Sequence, residues 1–239
     1  MNKPAPFAAF DIDGTIIRWQ LFHAIGDAMA KQEIISTDDY QQVRDARMKW
    51  KTRSFDDAFH DYEQVLINVF DKGLKGMPIE EFDALVDGVF EIYHEQVYTY
   101  TRDLITQLKQ QGYILFAVSG SPHMIVQKFA ERYGFDDYAA TKYLSENGTY
   151  TAEKDISLGK KSELLKNLIS KHNASYTQSM AIGDTEGDIA MLEMVEQPIA
   201  FNPSKKFFQH AQQQGWKVIV ERKNMIYELE ASDGSYRLV

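Results

Sequence analysis

The chain has 239 residues, 44% hydrophobic and 26% charged, which suffices for one large core and a smaller one. Lysine and arginine number 26 against 35 aspartates and glutamates, and the net charge of −9 argues against nonspecific nucleic-acid binding, which needs phosphate-neutralising charge. With no cysteine, disulfides, thiolate nucleophiles and cysteine-based zinc sites are excluded. The N-terminus lacks an apolar stretch of signal-peptide length, and no apolar run is long enough to span a bilayer. The expectation is a soluble cytoplasmic protein with neither a membrane nor a nucleic-acid partner.

In chain order, the first apolar run is Phe7-Ala-Ala-Phe-Asp-Ile-Asp13, which reads as a strand. Residues 18–98 contain no convincing strand. Trp19, Phe22, Ile25 and Met29 form one amphipathic stripe, and residues 38–72 and 79–97 carry further helical patterns broken by Gly73, Gly76 and Pro78. Trp19, Phe22 and Trp50 read as core of this helical segment, and the basic run Arg44–Arg53 as a solvated helix face. Helical stripes follow at 101–111, 122–133 and 161–171. They alternate with apolar runs at 113–119, 179–184, 197–201 and 216–220. Asn147-Gly148 signals a hairpin, and the tail from Met225 reads as another turning at Asp233-Gly234. Strands alternating with helices predict an α/β fold, a Rossmann-like doubly wound parallel sheet. Residues 1–17 and 99–239 would form this core, and 18–98 an inserted all-α cap.

The chemistry-bearing residues fall at the ends of the apolar runs, where open α/β sheets bind ligands. Run one ends in Asp11, Asp13, Gly14 and Thr15; run two in Ser119, Gly120, Ser121 and Pro122; run three in Asp184 through Asp188. Asp11 and Asp13, two residues apart in a strand, would share a face. A cation between them, a protonated carboxyl or plain exposure would each make that tolerable. Adding Asp184 and Asp188 puts up to four carboxylates in one crevice and favours a hard divalent ion such as Mg²⁺. Ser121 is the expected N-cap of the following helix with Pro122 at its first position, so that Ser119, Gly120 and the helix start would seat a phosphate. Lys160 and Lys161 open another helix, against its dipole, as an answer to an anion would require. A phosphate seat, a divalent cation, a lysine and a carboxylate free to attack describe phosphoryl transfer.

Asp11-Ile-Asp-Gly-Thr15, Ser119, Lys161 and Gly183-Asp184 with Asp188, in that order, resemble the four motifs of the haloacid dehalogenase superfamily of phosphohydrolases. The helical insert directly after the first motif is similar to the C1 cap of its phosphoserine-phosphatase-like branch, subfamily IB. The resemblance implies Asp11 as a nucleophile that becomes an aspartyl-phosphate, and Asp13 as the acid that protonates the leaving alcohol and then activates water. It implies Thr15 and Ser119 as phosphoryl ligands and Lys161 as the cation that orients Asp11. Asp11, the Asp13 carbonyl and Asp184 would hold Mg²⁺, with Asp188 reaching it through water or from behind. A small phosphorylated metabolite is the expected substrate. Gln20 stands where phosphoserine phosphatases carry a glutamate that reads the substrate amino group, and Gly187 stands where they carry asparagine. The resemblance therefore carries a phosphatase, with Gln20 a candidate substrate contact, but not phosphoserine. The rivals are a phosphotransferase of the same fold and a noncatalytic binder of phospholigands; retention of both motif-one acids and the lysine speaks against the binder.

Overall fold

A computed structural model describes residues 3–155, 159–232 and 235–238. In chain order the elements are β1 (Pro6–Phe10), α1 (Leu21–Lys31), α2 (Thr37–Lys51), α3 (Ala58–Leu74), α4 (Ile79–Tyr93), α5 (Thr99–Gln110), β2 (Ile114–Pro122), α6 (His123–Tyr133), β3 (Asp137–Glu146) and β4 (Thr149–Asp155). They continue as α7 (Lys161–His172), β5 (Ser175–Gly183), α8 (Ile189–Leu192), β6 (Gln197–Phe201), α9 (Lys205–Gln214), β7 (Lys217–Arg222), β8 (Met225–Ser232) and β9 (Ser235–Leu238). Contacts divide the chain into two compact units. One comprises Met1–Arg18, Tyr93–Thr141 and Ile156–Val239, and the other Trp19–Ile92 and Lys142–Asp155. The helical insert expected over 18–98 is thus joined by a segment from much later in the chain.

The first unit is built on a sheet in the order β3-β2-β1-β5-β6-β7-β8-β9, parallel from β3 to β7 and antiparallel from there to β9. β1 lies centrally, and Phe7, Ala8, Ala9 and Phe10 are all fully buried, as a strand covered on both faces requires. On one face Phe7, Phe116 and Val218 pack with Leu165, Leu192 and Phe207 from α7, α8 and α9. α5 turns Ile105 and Leu108 into the interior. The tail pairs as the expected antiparallel hairpin, whereas its Asp233-Gly234 turn lies outside the described residues.

In the second unit, α1 to α4 surround Tyr62, Leu66, Phe70 and Phe82. The end of β3 and β4 form a hairpin turning at Asn147 and Gly148, whose φ values of 51° and 81° are those of a tight turn matched to strand twist. Tyr143 and Lys154 of this hairpin both bond the carboxylate of Asp71 on α3. The basic run on α2 is not wholly solvated. Arg47 gives both terminal nitrogens to Asp27, and its Nε donates to the Tyr62 hydroxyl at 2.9 Å. His23 is buried among Trp19, Trp50, Phe59 and Tyr62. No helix among the described residues is long and apolar enough to cross a membrane.

Candidate active site

Strand register assembles the site. Phe10 pairs with Ala117 of β2 on one side and Ile182 of β5 on the other. Asp11, the next residue, donates its N–H to the Ile182 carbonyl at 2.9 Å. Ser119 and Asp184, each two residues beyond those partners, therefore lie on the same rim at the carboxyl ends of the strands.

Asp11 and Asp13 do not share a face by strand alternation, because β1 ends at Phe10 and the chain coils. The Ile12 carbonyl accepts from the N–H groups of Ile16 and Ile17 at 2.9 and 3.0 Å. Gly14 sits in this coil with φ +79°, and a Cβ there would fall 2.1 Å from Asp184 Oδ2. Only glycine lets the backbone approach that carboxylate so closely. Asp13 turns to β2, where its Oδ2 accepts from Ser119 Oγ at 3.0 Å and from Ser121 Oγ at 2.8 Å. Ser121 is thus not the side-chain cap of α6. The residue before that helix is Pro122, and no side chain caps it.

Of the two lysines at the start of α7, Lys161 is buried and Lys160 exposed. Lys161 Nζ donates to Asp11 Oδ1 and to Asp188 Oδ1, both at 2.6 Å. Asp188 closes a 3-10 turn over Glu186–Asp188, and its Oδ2 accepts from the N–H groups of Asp184 and Thr185, each at 3.1 Å. A Cβ on Gly183 would strike the Asp188 side chain at 2.4 Å, so glycine is needed there as well.

The charges do not balance. Burial pushes the Asp11 carboxyl up to about 7; Lys161 opposes this, and Asp188 and Asp13 add to it. Burial of the Asp184 carboxyl raises it well above the usual range, with Asp11 and Asp188 reinforcing the shift. Burial alone would lower the Lys161 ammonium, but Asp11 and Asp188 outweigh it and raise it. One lysine cannot neutralise this set of acids. Carboxylate oxygens of Asp11, Asp184 and Asp188 come within 4.8 Å of one another. Asp11 Oδ2 is buried and finds no hydrogen-bond partner. An all-oxygen donor set with excess negative charge and an unsatisfied carboxylate oxygen fits a hard divalent cation. Thr15 Oγ1 is a second buried atom without a partner, while the Thr15 carbonyl accepts from Thr101 Oγ1 at 2.9 Å.

The sequence profile of the haloacid dehalogenase-like hydrolases matches residues 8–193, which include every one of these side chains. The chain belongs to that family. Among curated relatives it is 23% identical over 204 residues to a phosphoserine phosphatase of Methanocaldococcus jannaschii, covering 84% of this chain and 87% of that one. A phosphoserine phosphatase of Archaeoglobus fulgidus is 22% identical over 204 residues; the match takes in 84% of this chain but 54% of the relative, about half its length. Among solved structures, a Bordetella pertussis protein of unknown function superposes with a TM-score of 0.73 at 18% identity, covering 90% of this chain and 98% of that one. A phospho-aspartyl intermediate analogue of phosphoserine phosphatase gives 0.64 at 20% identity, covering 93% and 96%.

In this haloacid dehalogenase-like hydrolase, Asp11, Asp13, Thr15, Ser119, Gly120, Lys161, Asp184 and Asp188 all belong to the sheet unit. Gly120 has its carbonyl tied by Thr141 Oγ1 at 2.7 Å. Gln20 belongs to the helical unit, as the residue preceding α1, where its side chain makes no capping bond. The contacts of Ser121 with Asp13 and of Thr101 with Thr15 were not foreseen. For Ser121 the signal was there, since a hydroxyl two residues after Ser119 in an extended chain points the same way.

Proposed function

We propose that this hydrolase is a Mg²⁺-dependent phosphatase that cleaves phosphomonoesters of a small metabolite through a phosphorylated Asp11. The observation that carries the reading is a pair of buried oxygens without partners, Thr15 Oγ1 and Asp11 Oδ2, the latter on the carboxylate whose other oxygen is held by Lys161. A phosphoryl group offers acceptor oxygens to Thr15 and an electrophile to Asp11.

In this reading Asp11 attacks phosphorus and the ester P–O bond breaks, while Asp13 gives its proton to the departing alcohol oxygen. Asp13 then takes a proton from water as that water attacks the aspartyl-phosphate, and phosphate leaves. Lys161 holds Asp11 by one oxygen and adds positive charge beside the reacting centre. Thr15 and Ser119 hold phosphoryl oxygens, and Gly120 keeps the backbone open to them. Mg²⁺, when bound, supplies charge that stabilises the transferred phosphoryl group. Asp11, the Asp13 carbonyl and Asp184 would hold it. Both Asp188 oxygens already have donors, so this acid serves by orienting Lys161 and the Asp184 loop. Similarity to phosphoserine phosphatases supports a small phosphorylated substrate, and Gln20 is the proposed contact for its leaving group. With glutamine there, phosphoserine is not the substrate we assign.

The test is hydrolysis of p-nitrophenyl phosphate with Mg²⁺, followed by a panel of phosphorylated metabolites. Asp11→Asn should lower kcat by ~10⁴-fold or more while the protein stays folded. A folded, Mg²⁺-loaded wild type inert on every phosphoester would end the reading. Transfer to added alcohols in place of water would move it to a phosphotransferase.

A further inference from the structure

The two hydroxyls on Asp13 cannot both stay there through turnover. Ser119 Oγ has one hydrogen, and it points at Asp13 Oδ2 at 3.0 Å. A phosphoryl dianion offers only acceptor oxygens, so Ser119 can hold it only by turning that hydrogen away from Asp13. Ser121 donates to the same Oδ2 at 2.8 Å and is 2% exposed. We propose that Ser121 is a positioning residue, holding the Asp13 carboxyl by Oδ2 while Ser119 serves the phosphoryl group. This deepens the phosphatase reading and rests on it.

The backbone is built for that division. Val118 pairs with Ala139 and Pro122 with Thr141, so β2 spends four residue steps where β3 spends two. The extra residues bulge out of the ladder, and such bulges re-aim side chains. Here the bulge carries Ser119, Gly120 and Ser121. Thr141 Oγ1 pins it by donating to the Gly120 carbonyl at 2.7 Å, and the Ser121 N–H donates to Ser119 Oγ at 3.0 Å. Ser119 Oγ therefore stays in place as an acceptor and needs only to rotate its hydrogen. Ser121 keeps Asp13 from following, which fixes where the second carboxyl oxygen points when the leaving group needs a proton.

The role separates from a merely structural one by leaving group. p-Nitrophenolate departs without a proton, whereas phenolate is more basic and gains from one. With Mg²⁺, Ser121→Ala should raise the ratio of kcat/KM for p-nitrophenyl phosphate over phenyl phosphate by about 10-fold, since misdirected acid catalysis is lost for one ester only. Ser121→Thr, which restores a hydroxyl, should return the ratio toward wild type. Ser119→Ala should lower both esters together. An unchanged ratio in folded Ser121→Ala overturns the proposal. A wild type inert on both esters would be a failure of the phosphatase reading. The holding role is then decided by a crystal structure of Ser121→Ala with inorganic phosphate bound at Ser119: Asp13 swung away from β2 supports it, and Asp13 unmoved overturns it.

Discussion

Lys161 Nζ lies 2.6 Å from Asp11 Oδ1, a contact that joins the first helical residue of α7 to the residue just after β1. Both side chains are under a tenth exposed, and the same ammonium also reaches Asp188 at 2.6 Å. Removing one partner of a buried ion pair leaves the other charge stranded. Lys161→Met should therefore cost about 3–5 kcal/mol in urea unfolding without divalent metal. Added Mg²⁺ should recover part of that loss, because a second cation then faces the stranded acids. Loss of stability that Mg²⁺ leaves untouched would mean that no cation reaches Asp11.

Asp184 makes the opposite case. Its side chain is half-buried beside Asp11 and Asp188, and desolvation and both acids press its carboxyl toward the neutral form. In EDTA, Asp184→Asn should melt higher than wild type, since a neutral amide relieves the repulsion. With Mg²⁺ at a hundredfold excess over its Kd the wild type should gain about 2.7 kcal/mol and the variant far less, so the order reverses. Thermal melts of both proteins in the two buffers read this directly. Absence of a crossover would remove the cation from this rim.

What the sequence made legible follows from how each signal is written. The apolar runs at β1, β2, β5 and β6 and the stripes of α5, α6 and α7 are local, so they could be read and the sheet inferred. Strand ends then brought Asp11, Ser119 and Asp184 to one rim without any knowledge of contacts, and a helix start offered Lys161. β3 escaped because Asp137–Glu146 is half-exposed and its ladder shifts register at both its pairings. That Lys142–Asp155 contacts the helical insert depends on Tyr143 and Lys154 meeting Asp71, which no periodicity encodes. Ser-Pro before a helix is a capping signal, yet the Ser121 hydroxyl goes to the Asp13 carboxylate and not to the helix. Arg47 departs from the solvated face that a charge run predicts because Asp27 and Tyr62, distant in sequence, face it.

His23 should make the helical unit sensitive to acid. Burial, and then the positive charge of Arg47, push its pKa from 6.5 down to about 3. Between those values the unfolded chain binds a proton that the folded one refuses, so stability falls as pH drops from about 6.5 toward 3. The slope is at most about 1.4 kcal/mol per pH unit. His23 Nδ1 is buried without a partner, so His23→Leu deletes the titration and strands no polar atom. Relative to wild type the variant should gain stability steadily from pH 6 to pH 4 in urea titrations followed by tryptophan fluorescence. Parallel pH curves would show that His23 protonates in the folded state.

Glu221 supplies a cap from far along the chain. No side chain caps α5 at Tyr98, which leaves the first N–H groups of that helix in need of acceptors. Glu221, near the end of β7, accepts from the Thr99 N–H at 3.1 Å and the Tyr100 N–H at 2.9 Å, one with each oxygen. Its own N–H is held by Asn202 Oδ1 at 2.8 Å, so the strand end is fixed where the helix begins. A carboxylate is suited to this place, since it meets the positive end of the helix dipole as well as two donors. Glu221→Ala should cost about 1–2 kcal/mol in the stability of the sheet unit. Glu221→Gln retains one acceptor and should fall between the two. The same variants should leave kcat/KM for p-nitrophenyl phosphate close to wild type at low temperature, because Glu221 bonds neither Asp11 nor Ser119. An alanine variant as stable as wild type would mean that water caps α5 equally well.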